Sequence, residues 1–411
     1  MKILFVNFSI GGFAGDAVQM LLVAKGLQKL GHEVTVATTD GDGYFFDKEK
    51  SKRYFPIRKK LLDAKGKIVE IDGVPVQPIH CLTPKIGMYC PDATKVGRKI
   101  IKNYDVVYAI NWYYHLAMVF SKIAHECKVP FIVAGMASLQ EKARGMKKRR
   151  KWIADMLYTK KMISHAAGFH SVGNLETSEY IKLGADPNKV YLIDHGIILD
   201  NFIIKNRTGI IERIGIDLKH KQYLLDVGRI DPKKGLEILL QAFARLIKTH
   251  SNLVLVIVGT GSDNYVQQIK QTARELNVID HVRFTGFVTE DEKLELLESA
   301  KLFVVTSHSD VHTTAAIEAL TMGVPVIITK ASDFPEIDEY EAGITVDTDV
   351  DSVYNALVKL LSYSDLLAFS QNAKKLVSDK FLLENQIKKY EHMFIDVVKK
   401  YKQVDAITIK K

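Results

Sequence analysis

Two carboxylates stand on either side of a short polar run that could bind a ligand. Asp310 and Glu318 are eight residues apart, and His312, Thr313 and Thr314 lie between them. The stretch KLFVVTS before them is typical of a buried strand, and TTAAIEALTMG is typical of a helix. A helix start at a strand's carboxyl end favours an anion, most often phosphate. The carboxylates can accept hydrogen bonds from hydroxyl groups beside that phosphate, so the run predicts a nucleotide-sugar site.

Two cations follow another predicted strand. Arg229 comes directly after YLLDVG, and Lys234 lies five residues further on, just before Gly235 and a predicted helix. Guanidinium and ammonium groups beside a helix start bind phosphate oxygens through charge-assisted hydrogen bonds. The pair therefore predicts a diphosphate site, although each cation alone would more simply be solvated.

Glycine turns and one apolar residue after predicted strands complete the donor-binding candidates. Glycine lets the backbone approach a phosphate or a sugar closely, whereas a tight turn without a ligand is the simpler reading of any single Gly–Gly pair. Together with the three polar residues named above, the predicted donor-binding residues are Gly11, Gly12, Gly228, Gly259, Gly261 and Val288.

Composition limits the classes of protein to which this chain can belong. At 411 residues it is long enough for two domains, and 47% hydrophobic residues argue against wholesale disorder. No apolar run reaches the length of a membrane span, and the start MKILFVNFSIGG is typical of a first strand. Cys81, Cys90 and Cys127 form no C-x-x-C pair, which argues against a zinc site or a disulfide framework and favours a reducing cytoplasm.

Strand-like and helix-like stretches alternate along the chain, as in doubly wound α/β proteins. The pattern restarts after a hinge near residues 194–201, which predicts two Rossmann-like domains, 1–197 and 198–385, and a final helix and tail, 386–411. Residues 41–66 show no clear period and are interpreted as an excursion from the first sheet. If the two halves face each other, the cleft between them is the expected active site.

These features resemble the retaining glycosyltransferases of family 4, which have the GT-B fold. The words GHEVTVAT, DVGRIDPKKGLEILLQAF, VIVGTG, VRFTGFV and EALTMGVPVI carry the resemblance, which covers nearly the whole chain. The family's E-x7-E motif falls on Asp310 and Glu318. The resemblance implies that Glu318 binds the nucleotide ribose, Asp310 the hydroxyls of the donor sugar, and Arg229 and Lys234 the diphosphate. It also implies an amino-terminal acceptor-binding domain, a final helix that returns to it, and transfer with no metal.

The sequence departs from the family pattern at the site. Asp310 replaces a glutamate, and His312 and Thr313 replace the usual glycines. Met136 stands where the family often has a histidine or arginine near the reacting sugar. The departures at Asp310 and Met136 keep open one alternative to a transferase, a catalytically weak nucleotide-sugar binder. A GT-B nucleotide-sugar epimerase is the other alternative, although Met136 counts against it, because an epimerase needs acid/base residues in the cleft.

A basic window accounts for most of the formal net charge of +9. Residues 142–161 hold nine Lys/Arg and one Asp, a net charge of 9 − 1 = 8. One interpretation is a solvated surface helix; the other is attraction to anionic lipid, with a glycan or lipid-linked acceptor and a peripheral place on the cytoplasmic face of a membrane. No recognition motif for nucleic acid accompanies it. With Met136, the candidate acceptor or membrane residues are Lys147, Lys148, Arg149, Arg150 and Trp152.

Overall fold

The structure is a computed structural model, and two compact units make up the chain. The described residues are 1–10, 15–41, 48–82, 89–111, 113–136, 158–311 and 313–409. The first unit is Met1–Gly196 together with Leu383–Lys411, and the second is Ile197–Leu382. In the described part of the chain, no helix is long and apolar enough to cross a membrane.

The first unit is built on a sheet whose described strands have the order β3-β4-β2-β1-β5-β6-β7-β8. Neighbouring strands are parallel except for β3 and β4, which are antiparallel. The strands are β1 (Lys2–Val6), β2 (Glu33–Thr39), β3 (Val69–Ile71), β4 (Val74–Ile79), β5 (Val106–Ile110), β6 (Phe131–Ala134), β7 (Gly168–Ser171) and β8 (Val190–Leu192).

Helices alternate with these strands, as parallel crossovers require. Those described before the second unit are α1 (Gly15–Lys29), α2 (Lys48–Asp63), α3 (Ala93–Ile100), α4 (His115–Glu126), α5 (Lys160–His165) and α6 (Asn174–Lys182).

The second unit has a parallel sheet in which the described strands have the order β11-β10-β9-β12-β13-β14. The strand order therefore reverses between β9 and β12, and a ligand is expected beyond the carboxyl ends of these two strands. The strands are β9 (Gln222–Val227), β10 (Leu253–Val258), β11 (Val282–Gly286), β12 (Leu302–Val305), β13 (Val326–Thr329) and β14 (Gly343–Val346).

Helices pack on this sheet and leave its central strands with little exposed surface. Every residue of β10 is buried, because a parallel strand covered on both faces needs apolar side chains on both. The helices are α7 (Ile210–Arg213), α8 (Leu236–Leu246), α9 (Asp263–Glu275), α10 (Glu290–Glu298), α11 (Thr314–Thr321), α12 (Glu336–Glu339), α13 (Val350–Leu361) and α14 (Leu367–Lys380).

The last helix, α15 (Leu383–Ile409), belongs to the first unit. Tyr390, Phe394 and Val397 recur at helical spacing and are buried in the core that also holds Phe5 of β1. Phe394 lies with its ring centroid 5.9 Å from that of Phe5.

The described part of residues 41–66 lies outside the first sheet, as expected, but it has a helical period that the sequence did not reveal, because it contains α2. Tyr54 and Leu61 are buried seven residues apart, on one face of that helix. The lysine-rich solvent face and Pro56 obscured this period in the sequence. The helix contacts β3, the first strand in the order of this sheet.

Candidate functional site

The carboxyl ends of β9 and β12 bring two loops together. The backbone N–H of His308 donates to the carbonyl of Lys233 at 2.8 Å, and the hydroxyl of Thr306 donates to the carbonyl of Gly235 at 2.9 Å. Gly235 has a φ of +62°, and a Cβ there would lie 2.3 Å from the carbonyl oxygen of Thr306. The loops can therefore approach this closely only because residue 235 is glycine.

Lys234 and Asp310 form an ion pair in this place. Their side chains are 20% and 18% exposed, so the pair is largely shielded from solvent. Burial alone would raise the pKa of Asp310, but the ammonium groups of Lys234 and Lys233 outweigh it and hold that pKa below its usual range. Asp310 is therefore an ionised acceptor at neutral pH.

Glu318 lies one turn inside α11 and pairs with a lysine from another helix. The Nζ of Lys293, in α10, is 2.8 Å from Glu318 Oε1 and 2.9 Å from Glu290 Oε1. Burial raises the pKa of Glu318 above its usual value, and Lys293 acts in the opposite direction. Two carboxylates at the site, Asp310 and Glu318, thus each have a lysine partner.

Arg229 lies at the solvent side of the same edge. Its side chain is 60% exposed, and its Nε is 3.6 Å from Asp231 Oδ2. Asp231 also accepts a hydrogen bond from the backbone N–H of Lys233, which fixes the short 3-10 turn Pro232–Lys234. Arg229, Lys233 and Lys234 therefore place three cations along one loop.

Asp226 is a buried carboxylate of the site that sequence reasoning missed. It is 8% exposed and is the next-to-last residue of β9, two residues before Gly228. Burial raises its pKa to about 7, although Lys234 lowers it. The signal in the sequence that could have identified Asp226 is the single acid in the otherwise apolar stretch YLLDVG.

Lys233 and Lys293 were also missed. Lys233 is adjacent to Lys234 in DPKKG, and burial lowers its pKa. Lys293 belongs to no recognisable motif. Its contact with Glu318 depends on how α10 packs against α11, and the order of residues in the sequence does not show that packing.

Two glycines of the predicted set, Gly259 and Gly261, have a structural reason to be glycine, whereas a Cβ on Gly228 would make only an ordinary contact with Lys234. Gly259 has a φ of +134°, and a Cβ there would lie 1.8 Å from the carbonyl oxygen of Gly228. A Cβ on Gly261 would lie 2.0 Å from the carbonyl oxygen of Ile230. These residues therefore allow the loops after β9 and β10 to pack against each other, and a contact with a donor stays a prediction.

Thr313 and Thr314 lie at the start of α11. Thr313 is the residue before the helix, but its hydroxyl makes no capping hydrogen bond. Thr314 is the first helical residue and is half-buried. The backbone N–H groups at the start of the helix therefore donate no hydrogen bond to that side chain. Val288 follows β11 and packs against the core of the second unit.

Of the remaining site residues predicted from the sequence, one lies in the described part of the chain and the others lie outside it. Met136 follows β6 with a φ of +50° and packs against the core of the first unit. Gly11, Gly12, His312, Lys147, Lys148, Arg149, Arg150 and Trp152 lie outside the described residues.

Comparison with known proteins identifies the family. The model of Glycosyltransferase Family 4 matches residues 14–201, and the model of Glycosyl transferases group 1 matches residues 210–376. A glycosyltransferase of Methanocaldococcus jannaschii, MJ1607, is 25% identical over 96% of this chain and 98% of its own length. A D-inositol 3-phosphate glycosyltransferase of Segniliparus rotundus is 31% identical over 40% of this chain and 37% of its own length.

Solved structures show the same fold. The structure of Anabaena Alr3699/HepE in complex with UDP and glucose has a TM-score of 0.72 and 18% identity, and the match covers 96% of this chain and 100% of that one. Both the fold and the family expected from the sequence are confirmed. The chain belongs to the group 1 glycosyltransferases, with a family 4 amino-terminal part and the GT-B fold.

Proposed function

We propose that the protein transfers a sugar from a nucleotide-diphosphate sugar to a hydroxyl acceptor and retains the configuration at the anomeric carbon. The observation that carries this proposal is the Lys234–Asp310 ion pair at the carboxyl edge of β9 and β12. It brings a phosphate-binding cation and a hydroxyl-binding carboxylate within bonding distance of each other. A ligand with a phosphate next to a polyol meets both requirements.

Donor binding would exchange partners within this pair. The diphosphate competes with Asp310 for the ammonium of Lys234, and Arg229 and Lys233 add charge on the same loop. Asp310 is then released to accept hydrogen bonds from the sugar hydroxyls. Glu318, eight residues on, would take the ribose hydroxyls. Each part of the donor thus has its own charged partners: the cations for the diphosphate, Asp310 for the sugar and Glu318 for the ribose.

The same cations would assist the chemical step. As the bond between the anomeric carbon and the phosphate oxygen breaks, negative charge grows on the leaving diphosphate. Arg229 and Lys234 would stabilise that charge, and no metal is expected to take part. The acceptor oxygen attacks from the leaving group's side, its proton passes to the departing phosphate oxygen, and the configuration is retained.

UDP is the first nucleotide to test. The Alr3699/HepE structure holds UDP and glucose, and its likeness to this chain is in the fold. GDP and ADP sugars complete the panel, because no side chain described above is an evident reader of the base.

Donor hydrolysis tests the proposal. The protein is incubated with UDP-, GDP- and ADP-sugars, and release of the nucleotide diphosphate is measured with and without a hydroxyl acceptor. Transfer is expected with one donor, and NMR of the product should show the donor's anomeric configuration. An interconverted sugar would indicate an epimerase instead, and binding with no turnover would indicate a weak binder. If the protein binds none of the three donors, the proposal is overturned.

We also propose an acceptor at an anionic membrane surface, bound by the amino-terminal unit, with the protein peripheral on the cytoplasmic face. Helix α2 supports this, because its sequence KEKSKRYFPIRKKLLD holds seven Lys/Arg against two acids. Phe55 and Leu62 are 52% and 39% exposed, and Lys59 lies between them on the exposed face. Exposed apolar side chains beside cations are typical of helices that lie on anionic lipid. A soluble glycan is the alternative acceptor.

A further inference from the structure

Lys293 contacts Glu318 directly and is held in place by two carboxylates. Only 15% of its side chain is exposed, and its Nζ lies 2.8 Å from Glu318 Oε1 and 2.9 Å from Glu290 Oε1. An ammonium group removed from solvent is costly unless carboxylates compensate it. The two contacts therefore keep Lys293 charged, and neighbouring carboxylates raise its pKa despite the opposing effect of burial.

The first turn of α10 fixes the place from which Lys293 reaches Glu318. Thr289 and Glu292 form a capping box at the start of this helix. Glu292 also forms an ion pair with Arg213 of α7. The turn is thus tied at its start and to a neighbouring helix, so the side chain of Lys293 meets α11 at a defined position.

Lys293 opposes the two effects that would protonate Glu318. Burial raises the pKa of Glu318, Lys293 lowers it, and Glu290 raises it. These two residues of α10 are the charged groups that act on Glu318 among the described residues. Without Lys293, burial and Glu290 would act together, and Glu318 would take up a proton closer to neutral pH.

The contact also selects which carboxylate oxygen is available. Lys293 bonds Oε1 of Glu318, and Oε2 makes no hydrogen bond within the described part of the chain. An ionised carboxylate accepts hydrogen bonds only, whereas its protonated form carries a donor hydrogen on one oxygen. Ribose hydroxyls that donate to Glu318 therefore need the ionised form with one oxygen open.

We propose that Lys293 is a positioning residue for the donor, which keeps Glu318 ionised and aimed so that Oε2 accepts hydrogen bonds from the ribose. The inference rests on the proposed function, which assigns Glu318 to the ribose. A purely structural ion pair between α10 and α11 would affect stability and leave the pH dependence of nucleotide binding unchanged.

Nucleotide binding at two pH values tests the proposal. UDP, GDP and ADP are titrated into the full chain by calorimetry at pH 6 and pH 8, and the tightest is used with the variants. Lys293→Met should weaken binding about tenfold at pH 6, as expected for one lost charge-assisted contact, and less at pH 8. The terminal phosphate, with a pKa of about 6, titrates in every sample, so variant and wild type are compared at each pH.

Three further variants serve as controls. Lys293→Arg keeps the charge and should restore most of the affinity and the wild-type pH dependence. Glu290→Gln removes the carboxylate that raises the pKa of Glu318, so it should bind as wild type does at pH 8 and no more weakly than wild type at pH 6. If Lys293→Met does not fold, as judged by circular dichroism, Lys293→Gln replaces it and should show the same pH-dependent loss.

Glu318→Gln separates the two proposals. If it loses affinity while the uncharged Lys293 variant matches wild type at both pH values, the inference alone is overturned. If Glu318→Gln binds as wild type does, the ribose assignment is wrong and the inference falls with it. The double variant Lys293→Met/Glu318→Gln should bind no more weakly than Glu318→Gln, because Lys293 acts through Glu318.

Discussion

The ammonium of Lys234 is bonded to the carboxylate of Asp310, although 76 residues separate them in the chain. Sequence reasoning assigned these residues to different parts of one ligand, the diphosphate and the sugar. Because the two side chains contact each other, Asp310 competes with the diphosphate for Lys234, and Lys234 competes with the sugar hydroxyls for Asp310. Loss of either side chain should therefore change the binding of both parts of the donor.

Lys234→Ala should slow transfer strongly. The lost cation would stabilise the growing charge of the leaving diphosphate, and such a contact is worth about 2–4 kcal/mol in the barrier. Asp310 would also be left buried without its nearest cation, so nucleotide-diphosphate affinity should fall. Steady-state kcat and KM with the identified donor give the measurement. Turnover equal to that of wild type would remove Lys234 from the mechanism.

Arg229→Ala should lower turnover with little effect on folding, because the side chain is 60% exposed and its ion pair within the described residues is the 3.6 Å contact with Asp231. Arg245→Ala is a matched control. Arg245 lies in the last turn of α8, whereas the site adjoins the first turn of that helix, and it pairs with Asp351 of α13. Similar losses in both variants would show a general effect of removing a cation from this unit.

Asp310→Asn should separate sugar from nucleotide. The amide keeps the shape of the side chain but is a poorer acceptor for sugar hydroxyls. Affinity for the free nucleotide diphosphate should stay near the wild-type value or rise, because Lys234 loses its internal competitor, while kcat falls. A large loss of affinity for the free nucleotide diphosphate would contradict the assignment of Asp310 to the sugar.

Asp226→Asn should change how stability depends on pH. The folded-state pKa of Asp226 is about 7, above the unfolded value of about 3.9. Its contribution is therefore fully present below the unfolded pKa and is lost as pH rises toward 7. Between pH 5 and pH 8 the wild type should lose about 2–3 kcal/mol of unfolding free energy relative to Asp226→Asn. Urea unfolding of both proteins at these pH values makes the comparison, and parallel curves would contradict it.

Charge reversal of Lys147, Lys148, Arg149 and Arg150 to Glu should weaken binding to vesicles that contain acidic lipid. Each cation near such a surface is worth about 1 kcal/mol, and salt screens it. Reversal of Lys59 and Lys60 in α2 tests the described surface in the same flotation assay. Donor hydrolysis should persist in both variants. Absence of vesicle binding by the wild type at low salt would favour a soluble acceptor.

The periodicity of the sequence predicted the alternating fold well, because buried parallel strands such as β10 are continuous apolar runs. It failed at α2, where the packed residues Tyr54 and Leu61 are outnumbered by cations. The site was predictable where a residue belongs to a loop at a strand end, as for Lys234 and Asp310. Lys293 was not, because its significance comes from a contact between two helices.

The position of α15 determines the order in which the two units can be completed during synthesis. The second unit ends at Leu382, and the 27-residue helix that fills the core of the first unit comes after it. A nascent chain can therefore finish the second unit while the first still lacks Tyr390 and Phe394. Although it begins the chain, the first unit is the last to close its core.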